Sequence, residues 1–327
     1  MTILNSPVGR LFRKSALPLL IATNLAGCAA IPALSLGNGL NPSEKMMWST
    51  YAFGTKHGLA TCFVVVPRQS SGPGKTVVVV TAAHILSTAP HGPFYLAARI
   101  GDVGRDPHVM LFELRPPSSK QPIFVKHPLY DIGAFEISIP PQLSDIVRFP
   151  SFLNENAIGA DRDRPRAGQD VLFAGFPKVL PGTAGGFPVL RAGKVASYSG
   201  SREQRAFLIN ADVYPGDSGG PVYLARRRGA PRLVGMVTAR GGRNPNDVLP
   251  LAIAVDATTI REIVEQAAKQ AHRVHQPSSS SDSRTKRVAQ SRPFVSEANS
   301  WEVLAPGNAS RDFVNEPPAL KAEIHER

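Results

Sequence analysis

Gly216-Asp217-Ser218-Gly219-Gly220-Pro221 decides how the rest of the chain is read. The stretch sets one small hydroxyl on a turn flanked by glycines. Glycine permits the sharp bends that aim neighbouring amides at one spot. Amides aimed in this way suit a carbonyl oxygen that gains negative charge during a reaction. Two other stretches fit the same chemistry. Thr81-Ala82-Ala83-His84 follows the run Val77–Val80, and Asp131-Ile132-Gly133-Ala134-Phe135 follows His127-Pro128-Leu129-Tyr130. The chain order is therefore His84, Asp131, Ser218. Taken singly, His84 fits a core histidine, Asp131 a turn cap and Ser218 ordinary turn chemistry. The order and context of the three carry the reading.

These stretches resemble the signatures of the trypsin-like serine proteases around their base, orienting acid and nucleophile. The gaps of 47 residues from His84 to Asp131 and 87 from Asp131 to Ser218 resemble that family's too. Other catalytic triads run in different orders. Gly175-Phe176-Pro177 is similar to a turn of the bacterial members, and Gly193-Lys194-Val195-Ala196-Ser197 to one of their strands. Leu251-Ala252-Ile253-Ala254-Val255 resembles the end of the high-temperature-requirement proteases. The resemblance spans roughly residues 50 to 272. It implies an all-β fold of two packed antiparallel six-stranded β-barrels, chymotrypsin-like, with a C-terminal helix.

A serine hydroxyl is a weak nucleophile at neutral pH and needs a base within hydrogen-bond reach. Histidine suits because its pKa lies near the working pH. A third group must hold its tautomer and stabilise the imidazolium. By position in the family's motifs, Ser218, His84 and Asp131 take these roles, and the amides of Gly216 and Ser218 form the oxyanion hole. The reaction implied is peptide hydrolysis through an acyl-enzyme, on polypeptide substrates and with no metal or organic cofactor. The alternative is a catalytically silent binding lipoprotein on the same fold. The substrate pocket falls at Asp212, six residues before the nucleophile, and at the wall strand, with Thr238 and Arg240. An acidic floor pairs with Arg or Lys of a substrate. Arg240 stands where glycine is usual, and either pairs with Asp212 or favours acidic substrate residues. In animal relatives the acid matching Asp217 pairs with a freed N-terminal amine. An acylated N-terminus has none, so here a later cut, another cation or backbone amides must satisfy Asp217.

The N-terminus reads as a targeting signal. Arg10, Arg13 and Lys14 precede the apolar stretch from Ala16 to Gly27. That stretch is short of the roughly 20 apolar residues that span a bilayer, and the pattern is that of a secretory signal. It ends in Leu25-Ala26-Gly27-Cys28, which resembles a bacterial lipobox. The resemblance implies cleavage before Cys28, lipidation of its thiol and a membrane anchor in the bacterial cell envelope. Ala29 leans this toward the outer membrane or periplasm. The other reading is an ordinary signal cut near Ala29 or Ala30. Loss of residues 1–27 removes three basic side chains and lowers the net charge from +12 to +9. No dense Lys/Arg run accompanies this charge, which excludes nucleic-acid recognition as its reading. Arg226-Arg227-Arg228 fits a solvated hairpin tip. With Cys28 lipidated, Cys62 has no partner and reads as a small buried hydrophobe. His and Cys show no zinc-ligand spacing.

The domain reading is a signal at 1–27, a tether at 28–48, a first β-barrel at 49–150, a second barrel with a helix at 151–273, and a disordered tail at 274–327. Short β-branched runs bounded by Gly and Pro begin at Leu59 and continue to Val255. A helix follows, capped by Asp256 or Thr258, with Ile260, Ile263, Val264 and Ala267 at helical spacing. In the tail, seven basic and seven acidic residues follow the serine run 278–281. Such a composition buries too little apolar surface to order itself.

Overall fold

A computed structural model describes residues 39–55, 58–67, 76–90, 93–103, 107–115, 124–139, 143, 147, 149–179, 186–198, 204–225, 231–241, 250–275 and 302–304. The apolar runs between Thr50 and Ser138 form seven strands: β1 (Thr50–Thr55), β2 (Gly58–Val65), β3 (Thr76–Thr81), β4 (Phe94–Ile100), β5 (His108–Arg115), β6 (Val125–Lys126) and β7 (Gly133–Ser138). Six more follow: β8 (Asp170–Gly175), β9 (Val189–Tyr198), β10 (Ala206–Asn210), β11 (Pro221–Leu224), β12 (Leu233–Arg240) and β13 (Leu251–Asp256). These six close into a barrel in the order β10-β13-β12-β11-β8-β9. The earlier strands form a curled sheet, which also takes up β14 (Glu302–Leu304), in the order β14-β5-β4-β1-β2-β3-β7-β6. Among the described residues the α-helices are α1 (Pro42–Trp48), α2 (Ala83–Ser87) and α3 (Ala257–His275). None of the described helices is long and apolar enough to cross a membrane.

The two-lobed, all-β expectation describes this chain, with one correction to its detail. The first lobe is a curled sheet of eight strands and not a closed barrel of six. Three elements lie where the sequence pattern announces no helix or strand. Pro42–Trp48 lies in the expected tether but is helical: Asn41 accepts from the Glu44 amide at 3.0 Å while the Glu44 carboxylate accepts from the Asn41 amide at 2.7 Å. This reciprocal pairing satisfies two free donors of the first turn. β1 was not legible as a strand. Glu302–Leu304, inside the expected disordered tail, pairs antiparallel with Glu113–Arg115 of β5. Residues 1–38, including Cys28, and the Arg226–Arg228 triplet lie outside the described residues.

The unbroken apolar runs have a simple cause. In a strand, alternate side chains point to opposite faces, and both faces of β2 and β3 are covered. Cys62, Val64, Val77 and Val79 fill the interior of the first lobe. Phe63, Val65, Val78 and Val80 face the other way, into a core shared with Met46, Tyr223, Leu233, Met236 and α3. Asp256 is the cap of α3: its Oδ1 accepts from the Thr259 amide at 3.1 Å. Ile260, Ile263, Val264 and Ala267 then bury one helical stripe against both lobes. Burial of each larger side chain contributes about 1.5–3 kcal/mol. Asp131 therefore sits in a loop held between the first sheet and this helix.

Candidate active site

His84 lies in the first turn of α2, directly after β3, and half its side chain is exposed. Ala82 at the helix start offers no capping side chain, and Asp131 supplies that function from another part of the chain. Asp131 Oδ1 accepts from the His84 amide at 2.8 Å, and Oδ2 pairs with His84 Nδ1 at 2.6 Å. A carboxylate only accepts, so Nδ1 carries the ring proton and Nε2 presents a lone pair. Burial pushes the Asp131 carboxyl up. Hydrogen bonds from the His84 ring and amide, with the charge of the ring, outweigh it and hold the group below the usual carboxylate range.

The glycine-flanked turn is tied to both lobes. Asp217 N donates to Tyr214 O at 3.0 Å and Gly220 N to Asp217 O at 2.9 Å. Pro215 O accepts from Lys178 N at 2.8 Å. In a trans peptide the N–H points opposite to the carbonyl. Pinning Pro215 O and Asp217 O therefore fixes the directions of the Gly216 and Ser218 amides. Neither amide has a hydrogen-bond acceptor among the described residues. Gly216 has φ +102°, and a Cβ there would stand 2.1 Å from Phe176 O. Gly219 has φ +91°, and its Cβ would stand 1.9 Å from Thr61 O. Both positions exclude any larger residue.

Thr61 and Thr81, which the sequence reading did not single out, join the turn to the first lobe. Thr61 N donates to Ser218 O at 3.0 Å. Its fully buried hydroxyl donates to Gly216 O at 2.7 Å and accepts from Phe176 N at 2.9 Å. Thr81 Oγ1 donates to Thr61 O at 2.8 Å. Thr81 is three residues before His84, so one chain of hydrogen bonds runs from the β3 end to the serine turn. Ser218 Oγ itself donates to Thr238 O at 3.2 Å, and no hydrogen bond joins it to the His84 ring.

Asp217 is 1% exposed and pairs through Oδ1 with Arg191 Nη2, while Oδ2 accepts from Tyr214 N at 2.6 Å. This answers the open question of its partner in favour of a cation with a backbone amide. Arg191 reaches it from near the start of β9, with its guanidinium 4.6 Å from the Phe173 ring centre. Burial pushes the Asp217 carboxyl up, and Arg191 with the Tyr214 amide reverses only part of that, leaving the group above its ordinary value.

The pocket residues are placed unequally. Thr238 is buried on β12 beside Ser218. Asp212 is exposed, its carbonyl accepts from Arg191 Nη1 at 3.2 Å, and its carboxylate makes no ion pair among the described residues. Arg240 is exposed at the end of β12. The structure thus brings His84 to Asp131 and Ser218 to Thr238, and does not pair Arg240 with Asp212.

A family model described as a trypsin-like peptidase domain matches residues 60–236. Among solved structures, the chain is similar to an inactive form of the Rv3671c protein of M. tuberculosis carrying a serine-to-alanine substitution. That likeness has 19% identity and a TM-score of 0.42, covering 75% of this chain and 95% of the other. A second structure, the Rv3671c protease in an inactive form, gives 18% identity and a TM-score of 0.40, with coverages of 71% and 91%. No curated protein matches the chain.

Proposed function

The chain belongs to the trypsin-like peptidase family, and from that premise we propose that it is a serine endopeptidase acting through His84, Asp131 and Ser218. The observation that carries the reading is the double hold of Asp131 on His84. It directs the proton to Nδ1 and leaves Nε2 able to accept one. In the first step the Ser218 hydroxyl leaves Thr238 O by rotation about χ1 and gives its proton to Nε2. Oγ attacks the scissile carbonyl, whose oxygen takes its negative charge to the amides of Gly216 and Ser218. The imidazolium then protonates the leaving amine as the C–N bond breaks, and an ester to Ser218 remains. Water gives a proton to Nε2 and attacks this ester. The acid product departs and Ser218 Oγ recovers the proton. Asp131, held low in pKa, stays ionised and stabilises the imidazolium throughout.

Asp212, Thr238 and Arg240 form the substrate pocket in this proposal. Exposed Asp212 selects Arg or Lys, and Arg240 selects acidic residues; cleavage of Arg-, Glu- and Ala-ended fluorogenic peptides ranks the two. The chain is anchored to the bacterial envelope through lipidated Cys28, which incorporation of a lipid probe in wild type and not in Cys28→Ser tests. Substitution of Ser218 by alanine tests the catalytic reading. Turnover of an unstructured polypeptide should fall on the order of 10⁶-fold, the scale known for another serine protease. Retained hydrolysis by Ser218→Ala removes the proposal. A wild type that binds polypeptide without cleaving it establishes the silent binding protein instead.

A further inference from the structure

The turn that presents Asp131 is shaped by a second histidine. His127 is the first residue of that turn, and its side chain is only 8% exposed. Its amide donates to Ile132 O at 2.9 Å, and Ile132 N donates to Tyr130 O at 2.8 Å. The imidazole closes the loop from inside: Nδ1 faces the amides of Leu129 and Tyr130, each at 3.2 Å. Both amides are donors, so Nδ1 accepts and carries no proton. The ring proton then resides on Nε2, which points toward Glu262 Oε2 of α3 at 3.5 Å.

We infer that His127 is a positioning residue for Asp131, and that only its neutral imidazole holds the turn closed. The inference rests on the reading of Asp131 as the acid that orients His84. A protonated ring has N–H groups at both nitrogens. Nδ1–H would then face two amide donors, both hydrogen bonds would be lost, and the loop between Lys126 and Ile132 would open around Asp131. The charged and titratable groups facing His127 come from each packed element. Glu262 comes from α3, and its other oxygen is taken by Arg205 Nη1 at 2.5 Å. Arg205 precedes β10, donates its amide to Tyr130 Oη at 2.9 Å and senses Asp256. The Tyr130 ring is tilted against His127 with centroids 5.0 Å apart. Glu262 Oε2 faces Nε2, whereas the two turn amides face Nδ1. The turn is therefore a device in which one proton opposes the geometry of the catalytic acid.

The consequence is kinetic. In wild type the acid limb of log kcat should steepen to a slope of two, one proton on His84 and one on His127. His127→Asn keeps an oxygen where Nδ1 stands and cannot titrate in this range, so its limb should have a slope of one. His127→Leu removes the acceptor and should lower kcat about 10- to 100-fold where the wild-type ring is neutral, from two lost hydrogen bonds, and less at acid pH, where the wild type loses the same bonds. KM should change less than about twofold, because His127 touches no substrate in this account. His127→Asn should recover at least tenfold over His127→Leu. Imidazole-nitrogen NMR of the full-length Ser218→Ala protein reads the tautomer without turnover: His127 should show a bare Nδ1 and a protonated Nε2. The low-field His84–Asp131 proton should weaken as His127 titrates. A wild-type slope of one, parallel limbs for wild type and His127→Asn, or a protonated Nδ1 on neutral His127 each overturns the inference. If His127→Leu does not fold, the His127→Asn profile and the NMR still decide it. A failure of the peptidase reading instead shows as a wild type without turnover whose His127 tautomer is nonetheless as stated.

Discussion

Replacing Arg191 with alanine removes the cation beneath the serine turn and leaves Asp217 buried with one amide donor. Breaking a buried ion pair from one side costs about 3–5 kcal/mol. The carboxyl has an escape, since it can take up a proton. Bringing a group of ordinary pKa 3.8 to neutrality at pH 7 costs about 4 kcal/mol at roughly 1.4 kcal/mol per unit. The expected loss is therefore about 3–4 kcal/mol, or about 10 °C in Tm for a domain of this size. Asp217 lies between the two peptides proposed to supply the oxyanion amides, so turnover should suffer as well. Losing one such donor costs on the order of 10²- to 10³-fold in kcat. The assay is kcat and KM on a fluorogenic peptide, with melting curves from pH 5 to 8. The sign of the pH effect follows from Asp217, whose native pKa is raised. A raised acid contributes stability below its unfolded pKa and loses it as pH rises through the native value. Removing Arg191 raises it further, so the melting deficit should be largest at pH 8 and shrink toward pH 5. Arg191→Ala with kcat within twofold of wild type, or with a deficit independent of pH, would refute this account of the turn.

Asp131→Asn should keep the fold but lower kcat about 10⁴-fold, because an amide holds the wrong histidine tautomer; steady-state kinetics checks this. Its melting curve should also lack one acid-dependent component. The depressed Asp131 contributes stability above its unfolded pKa and loses it as pH falls through the native one. Thr61→Val strands Gly216 O and Phe176 N, each costing about 1–3 kcal/mol when buried without a partner. Denaturant unfolding should show a loss of about 2–6 kcal/mol for the two together, with Thr61→Ser recovering most of it. Gly219→Ala places a methyl within 1.9 Å of Thr61 O, and circular dichroism with activity should find it unfolded or inert.

Among the strands of the barrel, β8 and β12 are legible as short apolar runs that end at Gly175 and before Gly241, and β11 as one that begins at Pro221. The apolar run Ala206–Asn210 forms β10. The run Val77–Val80 was equally plain, since both faces of β3 are buried. β1 escaped because Ala52, Gly54 and the flanking threonines dilute the apolar pattern, while the hairpin to Gly58 supplies the pairing. α1 escaped because Pro42 and the short polar start read as linker, although proline suits the first helical turn. β14 owes its strand to β5, a long-range pairing that local composition does not announce. At the site, His84, Asp131 and Ser218 stood in recognisable strings. Arg191 and Thr61 did not, because their partners lie 26 and 155 residues away and no local pattern marks them. A clue existed for Arg191, as a charged residue inside a strand two positions before Gly193. The question of what satisfies Asp217 was legible, and its answer required three dimensions.

The proposed nucleophile of a working peptidase is Ser218. Treating the full-length protein with a peptidyl phosphonate and mapping the adduct by mass spectrometry tests it most directly. The account predicts one adduct per chain, on Ser218, formed in step with loss of peptide hydrolysis. Modification elsewhere, or hydrolysis that persists after Ser218 is fully labelled, would contradict it.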